Sequence, residues 1–308
     1  MISWVSNLDI QFALLGLSTE LSTILLAALT AFATAVVAAP VRLAVDKRLQ
    51  RSQVEVEYDH EQRMQLRAKV GKYHGRLLEA ALDLNYRLVN LSNNSQEGWL
   101  DVGGDYRQTR GTQHYFRTMV FRFVRLVGLA IKFEREAIVV DNRIAEGTDE
   151  AFVRYPKAFR WAMTDAALFK GLEYDYSRSR DHFFTDQLRH LCSVVWGSRE
   201  EIEFSEFEEL VIDGPGLDDL LEFFDGLKPA QLRWDRLMVL RLFLMAFINT
   251  FGHDYQASDD ESFDDVLGQI HHVEIVKTLQ PWIQKLGLGR DPGTERLAKA
   301  VERRCEGA

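Results

Sequence analysis

Hydrophobic residues follow two different patterns along the chain. The first is a continuous run over residues 21–41, LSTILLAALTAFATAVVAAPV, which contains no charged side chain. A helix rises 1.5 Å per residue and a bilayer core of about 30 Å needs about 20 apolar residues, so this run has the length of one transmembrane helix. A shorter apolar run from Ile10 to Thr19, interrupted by Glu20, predicts an interfacial segment over residues 1–20. The alternative is a tilted membrane helix that begins near Ile10.

Three structures are compatible with the run over 21–41: a membrane anchor, a buried core helix and a cleaved signal peptide. A signal peptide needs a basic start, and residues 1–41 contain no Lys or Arg. Basic residues flank the cytoplasmic end of membrane helices. We therefore favour a membrane anchor with the amino terminus outside, because four cations follow the run: Arg42, Lys47, Arg48 and Arg51.

Alanines recur along the same segment. Ala27, Ala31, Ala35 and Ala39 repeat at four-residue spacing and share one stripe of a helix. Small residues let membrane helices approach closely, so the stripe predicts a homo-oligomer; an alanine-rich helix without a partner is the alternative. Glu20, near the outer end, is either an interfacial carboxylate or a member of a carboxylate ring in a pore.

The second pattern is helical periodicity. Residues 42–64 are more polar and predict a juxtamembrane stalk, and steps of three and four then predict a helix with one buried face: Leu66, Val70, Tyr73, Leu77, Ala81, Leu84 and Leu88. A helix over about 112–145 has the same spacing at Phe116, Val120, Phe123, Val127 and Ile131. We find no strand alternation, and prolines number only six. The prediction is an all-α protein with a cytoplasmic helical bundle over 65–308.

Residues that start and stop helices predict the remaining elements. Pro156 indicates the first turn of one helix, Asp181 the cap of the next, and Ser198 with Glu201 a capping box. The strongly apolar helix after Pro229 contains Arg241 and is short for a membrane crossing, so we expect it at the centre of the bundle. Further helices are expected over 215–226, 229–252, 260–286 and 294–305.

Charge is distributed unevenly. The net charge of −9 combines two acidic residues over 1–41, 18 basic and 13 acidic residues over 42–143, and 19 basic and 31 acidic residues over 144–308. The basic part suits membrane lipids of an anionic cytoplasmic leaflet. The acidic region 200–225 predicts either a solvated helix face or a contact with a basic protein partner. The acidic total argues against nucleic acid as a partner.

The sequence contains no motif for a cofactor, so none is expected. A phosphate-binding loop, a dinucleotide fingerprint and a zinc-protease motif are all missing. His182 and His190 would lie about 12 Å apart along a helix, and the adjacent His271 and His272 would point about 100° apart, so neither pair predicts a metal site. Cys192, in an apolar run, and Cys305, in a charged tail, are expected to be reduced thiols.

Two Arg–His pairs resemble the motif of HEPN-type ribonucleases, an Arg separated from a His by four to six residues. They are Arg67 with His74 and Arg107 with His114. The family usually has a polar residue directly after the Arg; Ala68 departs from this and Gln108 does not. The resemblance implies a cation and an imidazole beside one RNA phosphate, which would stabilise charge and move a proton.

The line YHGRLLEAALDLNYRLVN over 73–90 resembles a set of uncharacterised bacterial proteins that join an amino-terminal membrane helix to a cytoplasmic all-helical domain. The resemblance covers about 70 residues and brings no catalytic residues with it. The leading hypothesis is therefore a non-enzymatic interaction or effector protein at the inner membrane, with stress or phage defence suggested by architecture alone. A membrane-tethered HEPN-like ribonuclease and an oligomeric pore are the alternatives.

Overall fold

The computed structural model describes residues 19–107, 113–137, 145, 147–177 and 180–307, with backbone only for residues 19–22 and 37–46. Every regular element in these ranges is helical, which confirms the predicted all-α class. The predicted interfacial segment lies outside the described residues, apart from the backbone of its last two. We number the helices α1 (Thr19–Asn93), α2 (His114–Ala137), α3 (Gly147–Thr164), α4 (Thr185–Trp196), α5 (Phe204–Asp213), α6 (Asp218–Phe224), α7 (Leu232–Phe251), α8 (Asp260–Gly268), α9 (Val273–Leu286) and α10 (Pro292–Glu306).

The chain divides into two compact units, residues 1–61 and 62–308. In the first unit, the described side chains over 23–36 and 47–61 are nearly all exposed. They include large apolar groups on the predicted stalk, such as Val54 and Val56, each 65% exposed. Among residues whose side chains are described, no helix has both the length and the apolar character needed to cross a membrane.

The second unit is built around the apolar faces that the sequence pattern indicates. The seven predicted positions of α1 and the five of α2 are all buried. The central helix is α7, whose side chains are buried continuously from Arg233 to Ile248 and which packs against α3, α8 and α10. A helix that is apolar nearly all round needs neighbours on every side, so the expected core position of this helix is confirmed.

Several predicted helix starts are wrong. Pro156 lies inside α3 rather than in its first turn, because the helix begins at Gly147 with Asp149 and Glu150 in its first turn. Asp181 precedes the start of α4, which follows Phe184. The capping box predicted at Ser198 and Glu201 lies instead at Glu203 and Glu206. The backbone N–H of Glu203 donates to Glu206 Oε2 at 3.2 Å, directly before α5.

The helix predicted over 260–286 is two helices, α8 and α9. Between them, the backbone N–H groups of His271 and His272 donate to the two carboxylate oxygens of Asp235, each at 3.0 Å. A carboxylate that accepts these bonds satisfies the free donors at the start of α9. The break was not predictable from local sequence, because Asp235 lies in α7, 36 residues before His271.

Candidate anion-binding cleft

A cleft of about 430 Å³ opens between α2, α3 and α4. Val153, Lys157 and Arg160 follow steps of four and three, so α3 presents them on one face. The carboxyl-terminal half of α2 lines the opposite wall, and α4 contributes one side chain. Among the described residues, the charged lining comprises four cations and one carboxylate: Arg135, Lys157, Arg160, Arg189 and Glu134.

One of these cations is neutralised inside the cleft. Arg160 donates from Nε to Glu134 Oε2 at 2.7 Å and from Nη2 to Glu134 Oε1 at 3.1 Å. Both side chains are largely buried, with exposed fractions of 16% and 23%. A two-pronged guanidinium–carboxylate pair is directional and strong, so it fixes α3 against α2 and sets the shape of the cleft.

The other three cations leave the cleft positive. Arg135 and Lys157 are exposed, and within the described part of the chain neither has a carboxylate at ion-pair distance. Arg189 approaches Asp186 at 3.4 Å, but that carboxylate is 97% exposed. A pair so open to water contributes at most about 1 kcal/mol, so water and mobile anions compete with it readily.

A smaller cleft of about 270 Å³ shares Arg135 with the first. One of its two described carboxylates, Glu136, accepts hydrogen bonds from Tyr73 Oη at 2.6 Å, Lys72 Nζ at 3.1 Å and Lys69 Nζ at 3.2 Å. Burial acts to raise the pKa of Glu136, but these three donors outweigh it and lower the pKa to about 2. The cluster around Glu136 ties α1 to α2. The described lining of this cleft is nevertheless cationic, with two carboxylates, Glu136 and Glu200, against five cations: Lys72, Arg76, Lys132, Arg135 and Arg199.

Lys132 lies beside the same cluster. Burial lowers the pKa of Lys132, and the nearby cations of Arg76 and Lys72 lower it further. Its ammonium lies 4.6 Å from the centre of the Trp196 ring and donates to the backbone carbonyl of Arg199. Crowding of cations at this end of α2 therefore extends beyond the larger cleft.

Asp235 forms a second buried polar centre. Its carboxylate is fully buried and accepts a hydrogen bond from His272 Nδ1 at 2.6 Å. It also accepts the backbone N–H groups of His271 and His272, which lie between α8 and α9. His271 Nδ1 lies 3.7 Å from the same carboxylate and accepts the backbone N–H of Ala230. The prediction that the adjacent histidines diverge is wrong: both rings turn Nδ1 to one carboxylate, because they lie in the turn before α9. We assign this centre to helix capping.

The two Arg–His pairs of the ribonuclease hypothesis have separate partners. Arg67 Nε is paired with Asp149 at 3.3 Å, whereas the ring of His74 stacks on Phe152 at a centroid distance of 5.6 Å. These contacts involve α3 and explain both side chains as parts of the helix packing. Catalysis by this pair stays a prediction.

The second pair is similarly engaged. Arg107 Nη2 lies 4.0 Å from Asp218, and the exposed ring of His114 packs edge-on against Phe204 at 5.6 Å. Gln108, which follows Arg107, lies outside the described residues. A catalytic role for Arg107 and His114 likewise stays a prediction.

The predicted membrane residues are described in part. Ala27, Ala31 and Ala35 are exposed on the helix, as are the flanking cations Lys47, Arg48 and Arg51. The side chains of Glu20, Ala39 and Arg42 lie outside the described residues. The alanine stripe is thus exposed at the three positions whose side chains are described.

Searching the described residues reveals no group of three or more His, Cys, Asp or Glu side chains that could hold a metal. His182 is buried and hydrogen-bonded through Nδ1 to Tyr174 Oη at 2.6 Å. Burial, and secondarily Arg236, lowers the pKa of His182 to about 4. Cys192 and Cys305 are both free thiols, as expected.

Comparisons with protein-family models, with curated proteins and with solved structures find no match to this chain. The site is therefore interpreted from its own geometry. Sequence reasoning did not select the cations of the larger cleft, since they come from three helices that are distant along the chain. The spacing of Val153, Lys157 and Arg160 was a signal for a basic face on α3, but only the fold shows what this face meets.

Proposed function

We propose that this chain is a membrane-anchored helical protein of the bacterial inner membrane that acts as a non-enzymatic interaction or effector protein. In this proposal residues 21–41 cross the bilayer, the amino terminus lies outside, and residues 65–308 form the cytoplasmic domain. Stress or phage defence is the proposed setting, by analogy of architecture. The exposure of an uncharged stretch of helix is the observation that carries the proposal.

Over 23–36 every side chain is uncharged, and all except that of Leu26 are exposed. Ile24, Phe32 and Val36 are 67%, 70% and 54% exposed. Apolar area in water costs roughly 25 cal/mol per Å², so a helix of this kind needs a cover of lipid or protein. Lipid suits it because the uncharged sequence continues to Val41 and so reaches the length of a bilayer core.

The threonines of this stretch support the same proposal. Thr30 Oγ1 donates to the carbonyl of Leu26 at 2.8 Å, and Thr34 Oγ1 donates to the carbonyl of Thr30 at 2.6 Å. A hydroxyl that is bonded to its own helix needs no water. Such residues therefore add little to the cost of placing the helix in hydrocarbon, where an unsatisfied polar group costs several kcal/mol.

The proposed partners are anionic lipids, further copies of the chain and a basic protein. Exposed Lys47, Arg48 and Arg51 would meet the headgroups of anionic lipids at the cytoplasmic surface. The alanine stripe is the proposed contact between copies of the chain in a homo-oligomer. The acidic region 200–225 is the proposed contact for a basic protein partner.

The experiment is membrane extraction of the full chain expressed in bacteria. We expect the wild-type protein to sediment with membranes and to resist alkaline carbonate. Because an arginine at the centre of a membrane helix costs about 2.5–3.5 kcal/mol, Ala31→Arg with Ala35→Arg should release the protein to the supernatant.

The matched control is Val54→Arg with Val56→Arg, which adds the same charge to the stalk at two exposed positions. This variant should stay in the pellet. Extraction of the wild-type protein by carbonate, or retention of the Ala31→Arg, Ala35→Arg variant, would contradict the anchor.

A further inference from the structure

We propose that the cleft between α2, α3 and α4 binds a small organic phosphate, with the phosphoryl group held by Arg135, Lys157 and Arg189. The site lies within the unit 62–308, and its argument does not depend on the anchor. Failure of the membrane experiment would therefore leave this proposal standing, and the reverse also holds.

The charge of the cleft favours an anionic ligand. The protein carries a net charge of −9, yet the described residues that line this cleft include four cations against one carboxylate. That described carboxylate, Glu134, accepts hydrogen bonds from Arg160 with both of its oxygens. A concave site with cations and apolar walls concentrates its electric field and raises the local concentration of anions.

The fold brings the three cations to one cleft. Arg135, Lys157 and Arg189 come from three different helices, and these helices are held by the same core. The Arg160–Glu134 pair joins two of the walls, so the helices that carry Arg135 and Lys157 are fixed against each other before a ligand arrives. Preorganised groups lose less entropy on binding than groups on a free loop.

Chemistry decides between classes of anion. A phosphoryl group carries a charge of about −1.5 to −2 and three acceptor oxygens, which matches three cations better than one carboxylate does. Two of the cations are arginines, whose fork of donors suits phosphate. The apolar side chains Ile131, Ala137 and Val153 line the rest of the cleft, and they favour a ligand with an organic part.

Size favours a metabolite over a polymer. A volume of about 430 Å³ falls within the usual range of small-molecule sites, roughly 300–1,000 Å³. The region after residue 143 carries 31 acidic against 19 basic residues, which disfavours the long phosphate track of a nucleic acid. A single phosphorylated metabolite needs only the local cations.

Calorimetric titration of the full chain in a neutral detergent tests the site, with AMP and inorganic phosphate as the probes. We expect saturable AMP binding that weakens as salt is raised, and weaker binding of inorganic phosphate because it lacks the organic part. Arg135→Gln and Lys157→Gln should each weaken AMP binding about tenfold, which corresponds to about 1.4 kcal/mol, because each removes a charged hydrogen bond to the phosphoryl group.

Lys277→Gln, at an exposed position of α9 away from the cleft, is the matched control and should bind AMP like the wild type. The variants remove exposed charges, so their thermal unfolding without ligand should equal that of the wild type. Absence of saturable AMP binding, or equal affinity in Arg135→Gln, Lys157→Gln and wild type, would overturn the site. If inorganic phosphate bound as tightly as AMP, the organic part of the proposal would be wrong. Loss of binding to phosphatidylglycerol vesicles in these variants, with AMP binding intact, would assign the cations to a membrane surface and also overturn it.

Discussion

Glu136 shows how one carboxylate can organise several cations. Lys69, Lys72 and Tyr73 lie on one face of α1 and all donate to it from across the helix pair. Burial opposes ionisation, but the donors prevail and lower the pKa of Glu136 to about 2 from an ordinary 4.5. The charged form is therefore bound more strongly in the folded state than in the unfolded chain.

This linkage predicts a pH dependence of stability. Because the folded-state pKa is lowered, the contribution of Glu136 is fully present above about pH 4.5 and is lost as the pH falls towards 2. The difference in the free energy of unfolding between wild type and Glu136→Gln, measured by denaturant titration, should therefore shrink over that window. The exposed Glu306→Gln at the end of α10 is the control. A difference that stayed constant from pH 6 to pH 3 would disprove the assigned role.

At the scale of elements, the packing of α2 against α4 depends on a glycine. A Cβ atom added at Gly128 would lie 1.9 Å from Trp196 Nε1, and that indole N–H donates to the carbonyl of Val124 at 3.3 Å. Trp196 is buried and closes the carboxyl-terminal end of α4. The two helices, which also form two walls of the cleft, can approach this closely only because residue 128 has no side chain.

Two alanine substitutions separate this packing effect from helix propensity. Gly128→Ala should destabilise the protein by about 1–3 kcal/mol, since the buried indole must move. Gly71→Ala, in α1 with nothing within 4 Å of the added Cβ, should stabilise it by roughly 0.5–1 kcal/mol through propensity alone. Thermal unfolding of both variants measures the contrast. If Gly128→Ala were as stable as Gly71→Ala, the close approach would not exist in solution.

The sequence predicted those features that depend on local periodicity. The apolar faces of α1 and α2 and the central place of α7 follow from spacing, because burial selects the same side of every turn. The break between α8 and α9 depends on a contact from a distant residue, Asp235. The cleft was missed for the same reason: Arg135, Lys157 and Arg189 share a site only after three helices have packed.

At the scale of the whole molecule, the proposed anchor and the proposed ligand site would give the proposed effector two separable parts. The proposed anchor is the uncharged run over 21–41, and the cations of the proposed ligand site lie within 62–308. The uneven charge fits this division, since the basic part of the sequence follows the proposed membrane segment and the acidic part follows the basic one. An effector of this kind would receive a phosphorylated ligand at the cytoplasmic surface and act through contacts between copies.

Thiol labelling in spheroplasts tests the central claim, a chain anchored with its amino terminus outside and its domain in the cytoplasm. The natural Cys305 is partly exposed, whereas Cys192 is buried and should stay silent. Ser3→Cys adds a thiol on the other side of the proposed anchor, and Ser3→Ala is the control. With a membrane-impermeant maleimide, we predict labelling at residue 3 in intact spheroplasts and at Cys305 only after lysis. Protection of residue 3 until lysis, or labelling of Cys305 in intact spheroplasts, would contradict the account.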